Sequence, residues 1–75
     1  MEIILFGQLA DIAGASTCRV EGVQDTVMLK AKLETMFPGL EKVNYMLAVN
    51  KKMVQANLPL SGNETIALMP PFSGG

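Results

Sequence analysis

The chain ends in two glycines, and the α-carboxylate behind them is the group in this sequence best placed to do chemistry. The last six residues read Pro70-Pro71-Phe72-Ser73-Gly74-Gly75. Because glycine has no Cβ, it passes through narrow channels and adopts dihedral angles that other residues avoid. We therefore predict that Gly75 carries the reacting carboxylate and that Ser73 and Gly74 give it access to a partner's active site. A frayed terminus without a role is the alternative.

The rest of the sequence argues against a catalytic centre of the chain's own. There is no His, and Cys18 is the single cysteine. These facts exclude a Ser-His or Cys-His nucleophile pair and an internal disulfide, and they argue against a zinc site. Without a GxxxxGK or GxGxxG motif, we expect the chain to bind no cofactor itself. A partner must then supply the catalytic machinery.

Charge and hydropathy narrow the class of protein further. The net charge is −1, which gives no electrostatic footprint for nucleic acid. No apolar run approaches the length of a membrane span, and the start of the chain lacks the basic flank of a signal peptide. We expect a cytoplasmic protein that binds neither nucleic acid nor membrane.

The elements that position the tail can be predicted from apolar runs between turn residues. A helix is predicted where Leu29, Leu33, Met36 and Phe37 recur at helical spacing after a capping Asp25 or Thr26, and Pro38-Gly39 ends it. A short helical turn is expected at Gln8–Ile12, closed by Gly14. The predicted strands are Glu2–Phe6, Ser16–Glu21, Met46–Val49, Met53–Gln55 and Glu64–Met69.

One helix among several strands must cover one face of a sheet. The sequence therefore predicts an α+β roll over residues 1–75, a single domain of about four to five strands with one main helix on one face. The opposite sheet face is expected to stay open, and residues 70–75 are expected to form a free, flexible tail. The predicted core is Ile3, Leu5, Leu29, Leu33, Met36, Phe37, Val49, Ile66 and Leu68.

Strand alternation also predicts a surface for a partner. If Ile3 and Leu5 face the helix, then Ile4 and Phe6 face the other way, together with Met69 of the last strand. Contiguous exposed apolar side chains on a small domain are typical of a binding site. The predicted partner-binding residues are Ile4, Phe6, Met69, Pro70, Pro71 and Phe72. A loop folded over this face is the alternative.

Several of these segments resemble the sulfur-carrier proteins of the ubiquitin-like β-grasp fold, which have a mixed sheet, and in particular the small subunits of molybdopterin synthase. The specific parts are the segment Phe6-x-Gln8 and the tail from Pro70 to Gly75. Weaker matches are Thr26-Val27, Ala48-Val49-Asn50 and Pro59–Glu64. The sequence departs from the family at Ala10, where a basic residue is common, so a charged contact to the partner is missing there.

The resemblance implies a function and its partners. An ATP-dependent adenylating enzyme would activate the Gly75 carboxylate, and a sulfur donor protein would convert it into a thiocarboxylate. The tail would then enter the large subunit of molybdopterin synthase and give its sulfur to a cyclic pterin phosphate. ATP would be bound by the adenylating partner and not by this chain. A thiazole-pathway sulfur carrier, a ubiquitin-like protein modifier and a passive binding module remain as alternatives.

Overall fold

A five-stranded mixed sheet and one main helix make up the fold in a computed structural model that describes residues 1–71. The strands lie in the order β2-β1-β5-β3-β4. β1 and β5 run parallel at the centre, and the other neighbouring pairs are antiparallel. The elements are β1 (Glu2–Leu5), α1 (Gln8–Ala13), β2 (Thr17–Arg19), α2 (Thr26–Met36), a 3₁₀ helix (Pro38–Lys42), β3 (Met46–Val49), β4 (Lys52–Val54) and β5 (Ile66–Met69).

Local chemistry explains where α2 begins. The Met28 backbone N–H donates to the Asp25 side chain at 2.8 Å, so Asp25 is the N-cap. Asn57 Oδ1 accepts from the Val27 N–H at 3.0 Å and from the Thr26 hydroxyl at 3.1 Å. The backbone N–H groups of Val27 and Met28, which have no partner within the helix, are thereby satisfied. The bonds to Asn57 also tie its loop to the start of the helix.

The core lies between α2 and one face of the sheet. Of the predicted core residues, those in the strands and the first two leucines of the helix are buried as expected: Ile3, Leu5, Leu29, Leu33, Val49, Ile66 and Leu68. Phe37 is partly buried and packs against this cluster. The core also contains residues that the sequence did not single out: Met1, Leu9, Val20, Val23, Leu40 and Leu47.

The prediction that Met36 is a core residue is wrong, because its side chain is 40% exposed. Met36 is the last residue of α2, and the chain turns there into the 3₁₀ helix that begins at Pro38. Leu40 of that 3₁₀ helix is completely buried. The core beyond Leu33 is therefore filled from the next element, and Met36 is left at the surface.

Candidate functional site

The predicted tail leaves the sheet beside the turn that follows β1. β5 ends at Met69, and Pro70-Pro71 cannot donate to a further ladder. The Phe6 N–H donates to the Leu68 carbonyl at 3.0 Å, so the pairing of β1 with β5 continues one residue past β1. Because the two strands are parallel, Phe6 and the base of the tail lie at the same end of the sheet.

Gly7 brings this turn into direct contact with the base of the tail. Its φ of +57° is one that residues with a side chain rarely adopt. A Cβ at this position would lie 2.9 Å from Cγ of Pro70. The Pro70 ring therefore packs where a side chain at position 7 would stand, and glycine is required both by the backbone and by the ring.

The sheet face opposite α2 carries the predicted partner residues. Phe6 is 48% exposed, and Ile4 and Met69 are partly buried. The buried neighbours Ile3 and Leu5 point to the core, as alternation requires. The structure thus places Ile4, Phe6 and Met69 on one side of the sheet, next to Pro70 and Pro71.

This face is wider than the sequence predicted. Met46 is the cross-strand partner of Met69, and Ala48 is the partner of both Ala67 and Met53. Residues that pair directly across strands project on the same side of a sheet. We use the term open face for Ile4, Phe6, Met46, Ala48, Met53, Ala67 and Met69. Met46, Ala48 and Met53 can be assigned to this face only from the strand register, which the sequence alone does not give.

Charged groups lie beside the open face at the β1–β2 edge. Glu2 and Arg19 are cross-strand partners, and the Arg19 guanidinium lies 3.3 Å from the Glu21 carboxylate. The amino group of Met1 also contacts Glu21, at 2.7 Å. A hydrogen bond from this ammonium and its charge, with Arg19 adding to both effects, lower the pKa of Glu21. These contacts therefore favour the ionised form of the Glu21 carboxylate.

Local contacts and burial explain the shifted pKa values of three further side chains: Glu64, Cys18 and Tyr45. The Glu64 carboxylate accepts hydrogen bonds from the backbone of Ser61 at 2.8 Å and of Gly62 at 3.0 Å, and these bonds lower its pKa. Partial burial raises the pKa of the Cys18 thiol, which disfavours the nucleophilic thiolate. Burial, and then a hydrogen bond to Glu34 at 2.6 Å, raise the pKa of Tyr45.

The far side of the molecule has a separate groove along α2. It is lined by Met28, Ala31, Lys32, Thr35 and Met36. Within residues 1–71, no three His, Cys, Asp or Glu side chains lie close enough together to hold a metal ion. No helix in the same range is both long and apolar enough to cross a membrane.

Four predicted site residues lie outside the described residues. They are Phe72, Ser73, Gly74 and Gly75. Their proposed roles as the end of the tail remain predictions, and what the structure supplies is the surface around their point of departure.

Comparisons with known proteins agree with this fold. Residues 3–75 match the ThiS family. The crystal structure of small archaeal modifier protein 1 from Haloferax volcanii is similar with a TM-score of 0.78 and 29% identity, covering 99% of this chain and 97% of that one. The corresponding protein of Methanosarcina acetivorans gives a TM-score of 0.78 at 20% identity, covering 99% of this chain and 94% of that chain.

A third structure is described as a putative molybdopterin converting factor, subunit 1, from Pyrococcus furiosus. It has a TM-score of 0.84 and 16% identity, and the match covers 93% of this chain and 94% of that chain. The mixed sheet with one main helix is therefore the ubiquitin-like β-grasp fold, as predicted.

Proposed function

The chain belongs to the ThiS family of sulfur carriers, and from this premise we propose that Gly75 carries sulfur as a C-terminal thiocarboxylate for molybdopterin synthase. The observation that carries the proposal is an open apolar face that begins at the base of a diglycine tail. A carrier needs such a face because its partners must recognise the domain while they act on its end. The chain contributes the sulfur-bearing group, and its partners contribute the catalysis.

The proposed chemistry has two steps on the same carboxyl carbon. A carboxylate is a poor electrophile, so an adenylating enzyme first joins a Gly75 oxygen to the α-phosphorus of ATP and releases pyrophosphate. Sulfide supplied by the donor protein then attacks the acyl carbon, so that a carbon–sulfur bond forms as the bond to the AMP oxygen breaks, and AMP leaves. The resulting thiocarboxylate holds a soft, nucleophilic sulfur that the large synthase subunit can pass to a cyclic pterin phosphate.

The geometry of the described residues suits a domain that binds several enzymes in turn at the base of its tail. Residues 71–75 can span at most about 17 Å when extended, so an enzyme that acts on Gly75 must come close to the open face. Pro70 and Pro71 favour an extended conformation, which reduces the ordering cost when a tail enters a narrow site. The contact between Gly7 and Pro70 fixes the point from which the tail departs.

A second candidate is a protein modifier, in which the activated Gly75 is joined to lysines of other proteins. The 29% identity to a protein named as an archaeal modifier, over 99% of this chain, favours it. Both functions begin with the same acyl-adenylate and differ in the nucleophile. A sulfur carrier of the thiazole pathway is a third reading and differs in the final acceptor of sulfur.

The proposal is tested with the full chain, the adenylating enzyme of the same organism, ATP and a sulfide source. We expect ATP–pyrophosphate exchange that depends on the chain, and then a mass increase that equals the replacement of one oxygen by sulfur. Deleting Gly75 should abolish both without changing the melting temperature. Exchange that survives this deletion would contradict the proposed reacting group.

The acceptor is identified in a second experiment. The thiocarboxylate form is mixed either with the large synthase subunit and the cyclic pterin phosphate, or with cell extract. Loss of sulfur to the pterin supports the synthase. Branched peptides that carry Gly74-Gly75 on a lysine, recovered by mass spectrometry, would assign the chain as a modifier instead. Gly74→Val should fold normally and react slowly in either case.

A further inference from the structure

Three of the six methionines in the sequence stand together on the open face. Met46 and Met69 are direct cross-strand partners, which places their Cβ atoms about 5 Å apart. Met53 pairs with Ala48, so it lies diagonally from Met46 at roughly 7–8 Å, within reach of a long side chain. We call Met46, Met53 and Met69 the methionine cluster.

The turn between β3 and β4 holds this cluster in register. Asn50 and Lys51 have φ values of +51° and +72°, as a two-residue type I′ hairpin requires. The Asn50 N–H donates to the Thr65 carbonyl at 2.8 Å, and the Thr65 N–H donates to Asn50 Oδ1 at 3.0 Å. The hairpin is thereby tied to the residue before β5, so Met53 stays on the open face.

The three methionines of the cluster are at least partly exposed, so small oxidants can approach their side chains. Met53 is 43% exposed, and Met46 and Met69 are partly buried, whereas Met1 in the core is only 6% exposed. Hydrogen peroxide oxidises a thioether when the sulfur lone pair attacks one peroxide oxygen. A sulfur–oxygen bond forms, the oxygen–oxygen bond breaks and water leaves, so sulfur loses two electrons to the peroxide. The product is a polar sulfoxide.

We propose that peroxide oxidation of the methionine cluster weakens docking of the adenylating enzyme on the open face. The inference rests on the proposed function, which names this enzyme as the occupant. Met69 directly precedes Pro70, and residues 71–75 give the tail a reach of only about 17 Å. An enzyme that holds Gly75 must therefore come within this distance of Met69, the member of the cluster next to the tail, and the open face is the apolar surface that lies there.

The size of the effect follows from the polarity of the sulfoxide. A methionine side chain adapts its shape to a partner and presents an apolar surface. A sulfoxide oxygen that is buried without a hydrogen-bond donor weakens binding by about fivefold to a hundredfold. Oxidation thus converts an adaptable apolar contact into an unsatisfied polar one, without altering the reacting carboxylate.

The test uses the full chain in its carboxylate form, with Cys18→Ala to remove the thiol. The chain alone is treated with hydrogen peroxide, the peroxide is destroyed with catalase, and peptide mass spectrometry records which methionines carry oxygen. Titration calorimetry with the adenylating enzyme then gives the dissociation constant before and after treatment. We expect an increase of at least fivefold, with the melting temperature showing that the domain stays folded.

Two sets of leucine variants identify the residues that are responsible. The triple variant Met46→Leu/Met53→Leu/Met69→Leu is titrated before and after peroxide treatment, and its affinity for the adenylating enzyme should be the same in both states. The matched control Met28→Leu/Met36→Leu removes methionines that are 43% and 40% exposed on α2, and it should stay sensitive. If the triple variant proves too unstable, Met53→Leu alone should reduce the sensitivity.

The outcomes separate this inference from the proposed function. If the untreated chain is adenylated and its fully oxidised form binds with unchanged affinity, only the inference is overturned. Equal sensitivity of the triple variant and the control would also overturn it, because the oxidised group would lie elsewhere. If the untreated chain neither binds the enzyme nor supports pyrophosphate exchange, the proposed function itself fails, and this inference fails with it.

Discussion

Phe6→Ala should weaken partner binding by at least as much free energy as it removes from the stability of the fold. The Phe6 side chain is 48% exposed, so only about half of its surface is buried in the free domain. Complete burial of such a side chain contributes about 1.5–3 kcal/mol, so its loss here should cost about 1 kcal/mol of stability. For a domain of this size, that lowers the melting temperature by roughly 4–8 °C.

Binding should lose at least as much free energy, because the exposed half of the side chain is what a partner would cover. A central aromatic anchor costs more than about 1 kcal/mol when it is truncated, which raises the dissociation constant by about fivefold or more. Calorimetric titration with the adenylating enzyme measures this, and a thermal melt of the same variant measures stability. Val27→Ala is a matched control, because Val27 is 59% exposed at the start of α2, away from the open face.

Two results would refute the reasoning. If Phe6→Ala binds as well as the unaltered chain, the open face is not the docking surface near the tail. If the variant instead unfolds at room temperature, the exposed position of Phe6 is wrong and the residue belongs to the core. Equal losses of affinity in Phe6→Ala and Val27→Ala would show that the measurement reports a general change in the domain.

Three further comparisons of variants test the fold. Leu33→Ala should lower the free energy of unfolding by about 2–5 kcal/mol and Met36→Ala by about 0.5 kcal/mol, because Leu33 is buried and Met36 is exposed. Denaturant titrations measure both values, and equal losses would contradict the assigned helix face. Gly7→Ala should destabilise the fold more than Gly14→Ala, because both glycines have positive φ but only a Cβ at position 7 would lie 2.9 Å from a side chain. Equal midpoints of denaturant unfolding for the two variants would argue against this contact. The lowered pKa of Glu64 stabilises the fold above the unfolded pKa and loses this effect as pH falls. Between about pH 6 and about pH 3, the melting temperature of Glu64→Gln should fall less than that of the unaltered chain.

Sequence patterns located all five strands but overestimated the lengths of three of them. The third predicted strand matches β3 at Met46–Val49, whereas the second was predicted at Ser16–Glu21 and is β2 at Thr17–Arg19. A run of β-formers shows where a chain is extended. It does not show where the ladder stops, because that depends on the length of the neighbouring strand.

The core residues that the sequence missed lie mostly in short or irregular segments. Leu9 is in a helix of six residues, and Leu40 is in a 3₁₀ helix of five residues. Such elements are too short to show a helical period. The same limit explains the error at Met36, since the sequence does not reveal that Leu40 fills the space beyond Leu33.

The site was predictable to the extent that it follows from alternation within one strand. Ile4 and Phe6 could be assigned to one face from β1 alone. Met46 and Met53 could not, because their place beside Met69 depends on how β3 pairs with β4 and β5. Pairing between distant segments is set by the whole fold and leaves no local signal in the sequence.

The parallel pairing of β1 with β5 explains why the segment that follows β1 and the base of the tail lie at the same end of the sheet. Parallel neighbours end at the same edge of a sheet, so the chain that leaves β1 at Phe6 meets the chain that leaves β5 at Met69. An antiparallel arrangement would have put the tail at the opposite edge from Phe6. The one main helix covers only the core face, which leaves Phe6 and its neighbours free beside the tail. Under the proposed function, a partner that recognises this face would already be within reach of the terminal carboxylate. Recognition of the domain and access to its end would then be a single binding event.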